Sequence, residues 1–226
     1  MSRRLISAVG SAVGVCAAMV VLGAPRAQAA AFTNGSFELG AYDDAASNGH
    51  VLSLPVGSTA MTGWTTITGE LGWGRNDNAF IPNSATQGNF LLDLTGFHDA
   101  APYGGIQQVI DTLQGNAYVL GFDLISYESD GRYKGPVSLT ASAGTTSLAF
   151  TFTPPVGSTG VQSAHFALPF VATGAATTIT LQGTGTAGGQ FLGLDNVTLG
   201  PGVPEPASLA LCVLGSAGLV LRRRRH

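Results

Sequence analysis

The chain has little cysteine, and neither of its two cysteines lies in its central part. Cys16 falls in an apolar run near the N-terminus, and Cys212 falls in another near the C-terminus. The residues between these runs can therefore form no disulfide, cysteine zinc site or iron–sulfur cluster, and they offer no thiol nucleophile. A metal bound there must take oxygen or histidine ligands.

Charge is scarce as well, because Asp, Glu, Lys and Arg make up 10% of the chain. Seven of the ten basic residues lie near the two ends: Arg3, Arg4, Arg26, Arg222, Arg223, Arg224 and Arg225. Residues 30–203 hold three basic residues (Arg75, Arg132 and Lys134) against twelve acidic ones, a formal net charge of −9 compared with −3 for the whole chain. Nucleic acid and anionic lipid require clustered Lys and Arg, so we expect no nucleic-acid partner.

Recognisable catalytic motifs are also missing. The sequence contains no HExxH, Walker or dinucleotide-binding pattern and no G-x-S-x-G nucleophile elbow. The histidines of the central part, among them His165 in an apolar strand, stand alone in the sequence. Paired acids such as Asp93 with Asp99, or Glu128 with Asp130, keep a glycan-active hydrolase open as an alternative. The sequence favours a protein that is not an enzyme.

The N-terminus has the pattern of a secretory signal peptide. Arg3 and Arg4 precede an apolar run over residues 5–22, and Ala27 and Ala29 fit the small-x-small rule for cleavage. We expect a signal peptide over residues 1–29, cut after Ala29, with an uncleaved N-terminal anchor as the alternative.

The C-terminus has three parts in order: a Pro204-Glu205-Pro206 tripeptide, an uncharged run over residues 207–221, and four arginines, Arg222, Arg223, Arg224 and Arg225. Proline does not continue a helix, so the helix begins after Pro206. Fifteen residues span roughly 22 Å, short of a bilayer core of about 30 Å unless the arginines snorkel. The pattern predicts a transmembrane helix over 207–221, with its arginines in the cytoplasm and the rest of the chain outside the inner membrane.

This tail resembles the PEP-CTERM sorting tail of Gram-negative bacteria. The resemblance implies an exosortase and the secretion machinery as partners, a transient inner-membrane intermediate, and delivery to the cell surface or the medium. Proteins with this tail are linked to bacteria that make exopolysaccharide and live in biofilm. That association suggests exopolysaccharide as a ligand, and it leaves a passive structural matrix protein as an alternative.

The central part shows the alternation of β-strands. Tyr118, Leu120, Phe122 and Leu124 would share one face, and no segment of ten or more residues has a helical period. Nine segments are predicted as strands: 51–56, 90–95, 105–110, 117–126, 137–142, 148–153, 164–171, 178–181 and 191–199. Many short strands with Gly, Ser and Asn turns predict an all-β, antiparallel, two-sheet jelly-roll sandwich over residues 30–199, followed by the sorting tail over 200–226.

Four motifs recur in the order found in galactose-binding-like jelly rolls, the fold of many carbohydrate-binding modules. They are Asn34-Gly35-Ser36-Phe37-Glu38, Gly63-Trp64, Gly104-Gly105-Ile106-Gln107-Gln108 before Gly115-Asn116-Ala117-Tyr118, and Leu194-Asp195-Asn196-Val197-Thr198-Leu199. The central part resembles that superfamily along nearly its whole length. Because members bind varied ligands, the resemblance implies a fold and a tendency toward sugars, not one sugar.

The resemblance also implies a structural calcium where the first and last strands meet, held by Glu38, Asp195 and backbone carbonyls. Calcium prefers six to eight hard oxygen ligands, which such a set can supply. The alternative is that Glu38 and Asp195 are strand-edge acids that accept hydrogen bonds from turns.

Sugar binding needs flat aromatic faces together with planar polar side chains. Residues 70–78, taken as a Gly-rich loop, combine both, and Trp64 is expected in the core. The ligand-binding candidates are Trp73, Arg75, Asn76, Asp77, Tyr103 and Tyr127.

Overall fold

The computed structural model describes residues 31–98, 101–129, 131–133, 135–185 and 190–202. The predicted signal peptide with Ala27 and Ala29, the Pro204-Glu205-Pro206 tripeptide, the helix over 207–221 and the terminal arginines lie outside the described residues. Within the part that is described, no helix is long and apolar enough to cross a membrane.

The described chain folds into two antiparallel sheets with one short 3₁₀ helix, Gly96–His98. The strands are β1 Val51–Leu54, β2 Thr65–Thr68, β3 Leu71–Arg75, β4 Phe90–Asp93, β5 Gly105–Asp111, β6 Ala117–Glu128, β7 Val137–Ala143, β8 Thr146–Phe152, β9 Gly160–Val171, β10 Ala176–Gly183 and β11 Gly193–Pro201. One sheet has six strands in the order β1-β3-β4-β11-β6-β9, and the other has five in the order β2-β5-β10-β7-β8.

The pairing of β4 to β11 is nested, which is the topology of a jelly roll. The outermost strands in sequence, β4 and β11, pair with each other, then β5 with β10, β6 with β9, and β7 with β8. Successive pairs alternate between the two sheets, so the folded ribbon wraps around a single core. The predicted all-β, antiparallel, two-sheet jelly roll is confirmed.

The nine predicted strands all occur, with ends that differ by a few residues. The interpretation of residues 70–78 as a loop is wrong, because Leu71–Arg75 forms β3 between β1 and β4. Gly72 and Gly74 gave the segment its loop-like composition. A Cβ on Gly72 would lie 2.8 Å from Val51 Cγ1 on the neighbouring strand. The glycine is therefore required by close packing within the sheet, not by a turn.

The core lies between the sheets and is rich in aromatic side chains. Trp64 is 1% exposed, and its ring meets Phe37 at 5.9 Å between centroids. The Trp64 indole Nε1 donates to Asn34 O at 2.9 Å. The expected core position of Trp64 is confirmed, with its one polar atom paired as burial requires.

The Asn34-to-Glu38 motif fastens the start of the domain to its last strand. Val197 N donates to Gly35 O at 2.8 Å, and a Cβ on Gly35 would collide with the Val197 carbonyl. The Asn34 side chain accepts from Leu39 N and donates to Leu39 O, which closes the turn. Gly35 therefore holds the first segment against β11, and Asn34 fixes the turn that follows it.

Candidate functional site

A groove of about 410 Å³ lies on the outer face of the six-stranded sheet. Along β1, β3 and β4, the side chains of Leu52, Trp73 and Leu92 enter the core. Because side chains alternate along a strand, the residues next to them face outward and line the groove. Its lining residues are Val51, Gly74, Asn78, Ala79, Phe80, Ile81, Ser84, Leu91, Asp93, Gly96, Phe97, Tyr127, Ser129, Arg132, Tyr133 and Phe191. We call this the outer-face groove.

The base of the outer-face groove is a second, smaller apolar cluster outside the main core. Ile81, Leu91, Ile125 and Phe191 are buried there, and Tyr127 and Tyr133 pack against them. Leu91 comes from β4, Ile125 from β6 and Phe191 from the approach to β11. These elements are neighbours only because the sheet order places β11 between β4 and β6.

Two pairs of aromatic rings line the outer-face groove. The rings of Tyr127 and Tyr133 are 6.2 Å apart at their centroids, and those of Phe80 and Phe97 are 5.8 Å apart. Phe80 is 50% exposed and Phe97 41% exposed, whereas most aromatic side chains of the domain are buried or partly buried. Solvent-exposed rings that sit in a concavity are unusual for a water-soluble surface and are typical of ligand sites.

Tyr133 has an unfavourable backbone conformation with a φ of 60°. A bulky residue with positive φ is strained by roughly 1–3 kcal/mol and persists where its surroundings hold it. Here Tyr133 forms an isolated parallel bridge with Gln190, whose Nε2 donates to Pro136 O at 3.0 Å. The strain therefore coincides with the position that brings the Tyr133 ring beside Tyr127.

Some polar groups of the outer-face groove are already occupied by local hydrogen bonds. The Asn78 side chain donates to Arg75 O and Ile81 O and accepts from Phe80 N and Ile81 N, so it shapes the loop between β3 and β4. Asp93 Oδ1 accepts from Thr95 N at 2.9 Å and from the Thr95 hydroxyl. Arg132 also lines the groove, and its side chain is exposed to solvent and carries a positive charge.

Two of the predicted ligand residues are wrong because they are buried. Trp73 is 1% exposed, donates from Nε1 to Phe37 O at 3.0 Å, and packs against Tyr42 and Phe90. Tyr103 is 2% exposed and belongs to the main core. Neither ring presents a face to solvent, so neither can stack on a ligand.

The predicted polar candidates are engaged in local contacts within the domain. Arg75 donates to Asp77 Oδ2 at 2.7 Å and to Asp44 Oδ1 at 3.2 Å, and Asn76 Oδ1 accepts from Ala85 N at 2.9 Å. Arg75, Asn76 and Asp77 are not among the residues that line the outer-face groove. Of the six candidates, Tyr127 is the one that lies in it.

Sequence reasoning missed Phe80 and Phe97 as site residues. Phe80 lies in the loop between β3 and β4, and Phe97 lies in the 3₁₀ helix after β4. The available signal was an aromatic side chain in a turn-rich segment, which the chain shows at several places. What joins Phe80 with Phe97 is the register of β3 against β4, which local sequence does not give.

His165, which looked isolated in the sequence, has an acidic partner across the sheet. Asp123 and His165 are directly opposite each other on β6 and β9, and Asp123 Oδ1 lies 2.6 Å from His165 Nδ1. Asn196 Nδ2 donates to the other carboxylate oxygen at 3.1 Å. The pair lies on the outer face of the same sheet but does not line the groove.

Glu38 and Asp195 act on the same loop, the one that leads into β4. Asp195 Oδ2 accepts from Thr86 N at 2.7 Å, from Gln87 N at 2.8 Å and from the Thr86 hydroxyl, and Oδ1 accepts from Asn196 N. Glu38 Oε1 accepts from Asn89 N at 2.7 Å and from Phe90 N at 2.9 Å. Two carboxylates from opposite ends of the domain therefore hold residues 86–90, and we call this arrangement the carboxylate clamp.

Burial raises the pKa of Asp195 to about 6, although the hydrogen bonds from Gln87, Asn196 and Thr86 act to lower it. The side chain is 0% exposed, so the carboxylate has lost all of its contact with water. Loss of hydration favours the neutral acid more than these donors favour the anion. The carboxylate clamp is therefore sensitive to mildly acidic pH.

The hydrogen bonds of the carboxylate clamp are those expected if Glu38 and Asp195 are strand-edge acids that accept from a turn, which was the alternative to a calcium site. Six N–H and O–H groups point at the two carboxylates, and their positive ends take the place that a cation would fill. Among the described residues, no group of three or more His, Cys, Asp or Glu side chains could hold a metal. The calcium site stays a prediction.

That prediction has a direct test. Calcium bound at Glu38 and Asp195 would bind only the folded state and so raise the melting temperature in millimolar calcium chloride and lower it in excess EDTA. Glu38→Gln should then lose the response. Equal melting temperatures in both conditions would leave hydrogen bonding to residues 86–90 as the role of the two acids.

The solved structures to which this chain is similar include two carbohydrate-binding modules and an adhesin domain. "TmCBM61 in complex with beta-1,4-galactotriose" is 18% identical, with a TM-score of 0.41, covering 77% of this chain and 100% of that one. A CBM35 from Paenibacillus barcinonensis is 12% identical, with a TM-score of 0.38, covering 62% and 94%. The K1 cleaved adhesin domain of Lys-gingipain from Porphyromonas gingivalis W83 is 15% identical, with a TM-score of 0.45, covering 68% and 99%. At these scores the similarities assign no ligand residue.

The search of curated proteins found no match. Residues 202–225 match the PEP-CTERM protein-sorting motif, and this segment contains the Pro204-Glu205-Pro206 tripeptide and the four arginines. The resemblance drawn from the tail is thereby confirmed. The motif indicates export to the cell surface or the medium and implies an exosortase as the processing partner.

Proposed function

We propose that this protein is exported, passes through an inner-membrane intermediate, loses its tail to an exosortase, and then binds a polysaccharide in the outer-face groove of its jelly-roll domain. The sorting motif supports the first steps. Support for the last step comes from the groove itself, which is about 410 Å³ and falls within the usual range for ligand sites.

The observation that carries the binding proposal is that two pairs of aromatic rings line the outer-face groove. Sugar rings have apolar C–H faces that pack against aromatic rings, and their hydroxyls need polar partners at the rim. The apolar ring faces are supplied by Tyr127 with Tyr133 and by Phe80 with Phe97. The polar partners for the hydroxyls are supplied by Asp93, Ser129 and Arg132. An exported protein that meets the cell's own exopolysaccharide has that polymer as its natural ligand.

We expect the double variant Tyr127→Ala/Tyr133→Ala to weaken polysaccharide binding by at least about tenfold, because each lost ring removes roughly 0.5–1.5 kcal/mol of aromatic contact in addition to buried area. Binding would be measured on a glycan array and on exopolysaccharide isolated from the producing strain. The fold would be checked by circular dichroism, since both rings also cover the apolar cluster beneath them.

Leu148→Ala provides the matched control, because Leu148 is 51% exposed and lies on β8 of the five-stranded sheet. It should bind as the unaltered domain does. If no glycan is retained by the unaltered domain, the passive matrix alternative replaces this proposal. Steady release of reducing sugar from a bound polymer would indicate instead a glycan-active hydrolase.

A further inference from the structure

We infer that the outer-face groove selects glycans that carry carboxylates, such as polymers of uronic acids, and that Arg132 is the residue that recognises the carboxylate. This inference rests on the proposed polysaccharide binding and narrows it to one substrate class. Three features support it: the position of Arg132, the ion pairs of Arg75, and the net charge of the residues around the groove.

Arg132 is placed at the groove by a tight turn. Its backbone N–H donates to Ser129 O at 2.8 Å at the end of β6, and Gly131 between them has a φ of 82°, which a side chain would disfavour. The side chain is exposed and lines the groove next to Tyr133. Within the residues that the structure describes, its guanidinium forms neither an ion pair nor a side-chain hydrogen bond.

Arg75 shows what a structural arginine looks like in the same domain. Its guanidinium contacts Asp77 at 2.7 Å and Asp44 at 3.2 Å, so its charge is balanced within the fold. Arg132 has the same chemistry, but in the described part of the chain no carboxylate forms an ion pair with it. A guanidinium that has no acidic partner among the described residues and faces a concave aromatic surface is arranged to receive an anion from a ligand.

The overall charge makes this placement selective. Residues 30–203 carry a net charge of −9, so the domain repels polyanions at long range and has no general basic surface. An acidic glycan therefore gains only where a cation lies close to it. A carboxylate carries one negative charge and accepts two parallel N–H bonds from a guanidinium, so it can pair with Arg132 while it is repelled less by so acidic a domain than a doubly charged phosphate monoester is.

Asp93 limits where the ligand carboxylate can lie. This acid also lines the outer-face groove, and its Oδ1 is already bonded to Thr95. Like charges repel, so the ligand carboxylate is expected at the Arg132 end while Asp93 accepts sugar hydroxyls. Asp93→Asn should consequently strengthen binding of an acidic polymer, or leave it unchanged, and should not weaken it.

The test compares polygalacturonate with the same polymer after its carboxyl groups have been reduced to alcohols. We expect the unaltered domain to bind polygalacturonate at least about tenfold more tightly than the reduced polymer, because a guanidinium forms two charge-assisted hydrogen bonds to a carboxylate and only neutral-acceptor bonds to an alcohol. Arg132→Gln should remove that preference, so that the variant binds polygalacturonate and the reduced polymer about equally. Arg132→Lys should keep part of it, and raising the salt concentration should reduce it.

Arg75→Gln is the control, since it removes the same charge from a residue outside the groove. An equal loss of polygalacturonate binding in Arg75→Gln and Arg132→Gln would overturn the assignment, because general charge would then explain both. A sulfated glycan bound as tightly as polygalacturonate, with the same dependence on Arg132, would overturn the choice of carboxylate. Retention of neutral glycans alone overturns this inference and leaves the proposed function standing, whereas retention of no glycan removes both.

Discussion

Asp195→Ala is expected to lower the free energy of unfolding by about 3 kcal/mol. The substitution leaves the amides of Thr86 and Gln87 without their acceptor and empties a site that is 0% exposed, and each unpaired buried donor costs roughly 1–3 kcal/mol. Alanine carries no charge, so the variant avoids the free-energy cost of burying a carboxylate away from water, and this offsets part of that loss. Denaturant unfolding followed by tryptophan fluorescence measures the change, since Trp64 and Trp73 lie in the core.

Asp111→Ala is the control for this prediction, because Asp111 is an exposed carboxylate at the end of β5. It should change the free energy of unfolding by less than about 0.5 kcal/mol. A loss below about 1 kcal/mol in Asp195→Ala would contradict the view that the carboxylate clamp supports the loop before β4.

The same site has a pH signature with a defined sign. Because burial raises the pKa of Asp195 to about 6 from 3.8, the folded chain takes up a proton between these values that the unfolded chain does not. Stability from this group therefore increases as pH falls from 6 toward 3.8 and is constant outside that window. Relative to Asp195→Asn, which cannot titrate, the unaltered domain should gain about 1 kcal/mol between pH 7 and pH 5.

The fold could be predicted from the sequence because alternation survives in most strands. Leu120, Phe122 and Leu124 are fully buried, as their period of two requires. The prediction failed at β3, where Gly72 and Gly74 alternate with the large residues and imitate a loop. Composition alone does not distinguish a glycine that relieves crowding between strands from a glycine that makes a turn.

The carboxylate clamp could be predicted in part from the sequence, whereas the outer-face groove could not. Glu38 and Asp195 could be paired from the sequence because the resemblance places both motifs where the first and last strands meet, although their shared partner, residues 86–90, was not foreseen. The outer-face groove could not be predicted as a unit. Phe80 and Tyr127 are far apart in the chain and become neighbours of one cavity only through the sheet order β4-β11-β6.

Replacement of Pro204, Glu205 and Pro206 by alanines is expected to abolish removal of the tail and delivery to the surface. The tripeptide lies inside the segment that matches the sorting motif, directly before the uncharged run over residues 207–221. Three alanines remove the side chains of the motif and also let the predicted helix over 207–221 extend toward residue 203, because proline would no longer fix its start. The protein should then accumulate in the inner-membrane fraction instead of the medium.

Intact-mass measurement of the secreted and membrane-bound forms reports the outcome of this substitution directly. The unaltered chain should give a form that begins at Ala30 and ends near the tripeptide, whereas the variant should begin at the same residue and retain the four terminal arginines. Ser208→Ala, in the adjacent apolar run, should be processed normally. Secretion of the triple-alanine variant at the same mass and amount as the unaltered chain would contradict this prediction. Sorting would then depend on the apolar run and on the arginines, which the positive-inside rule keeps on the cytoplasmic side of the membrane.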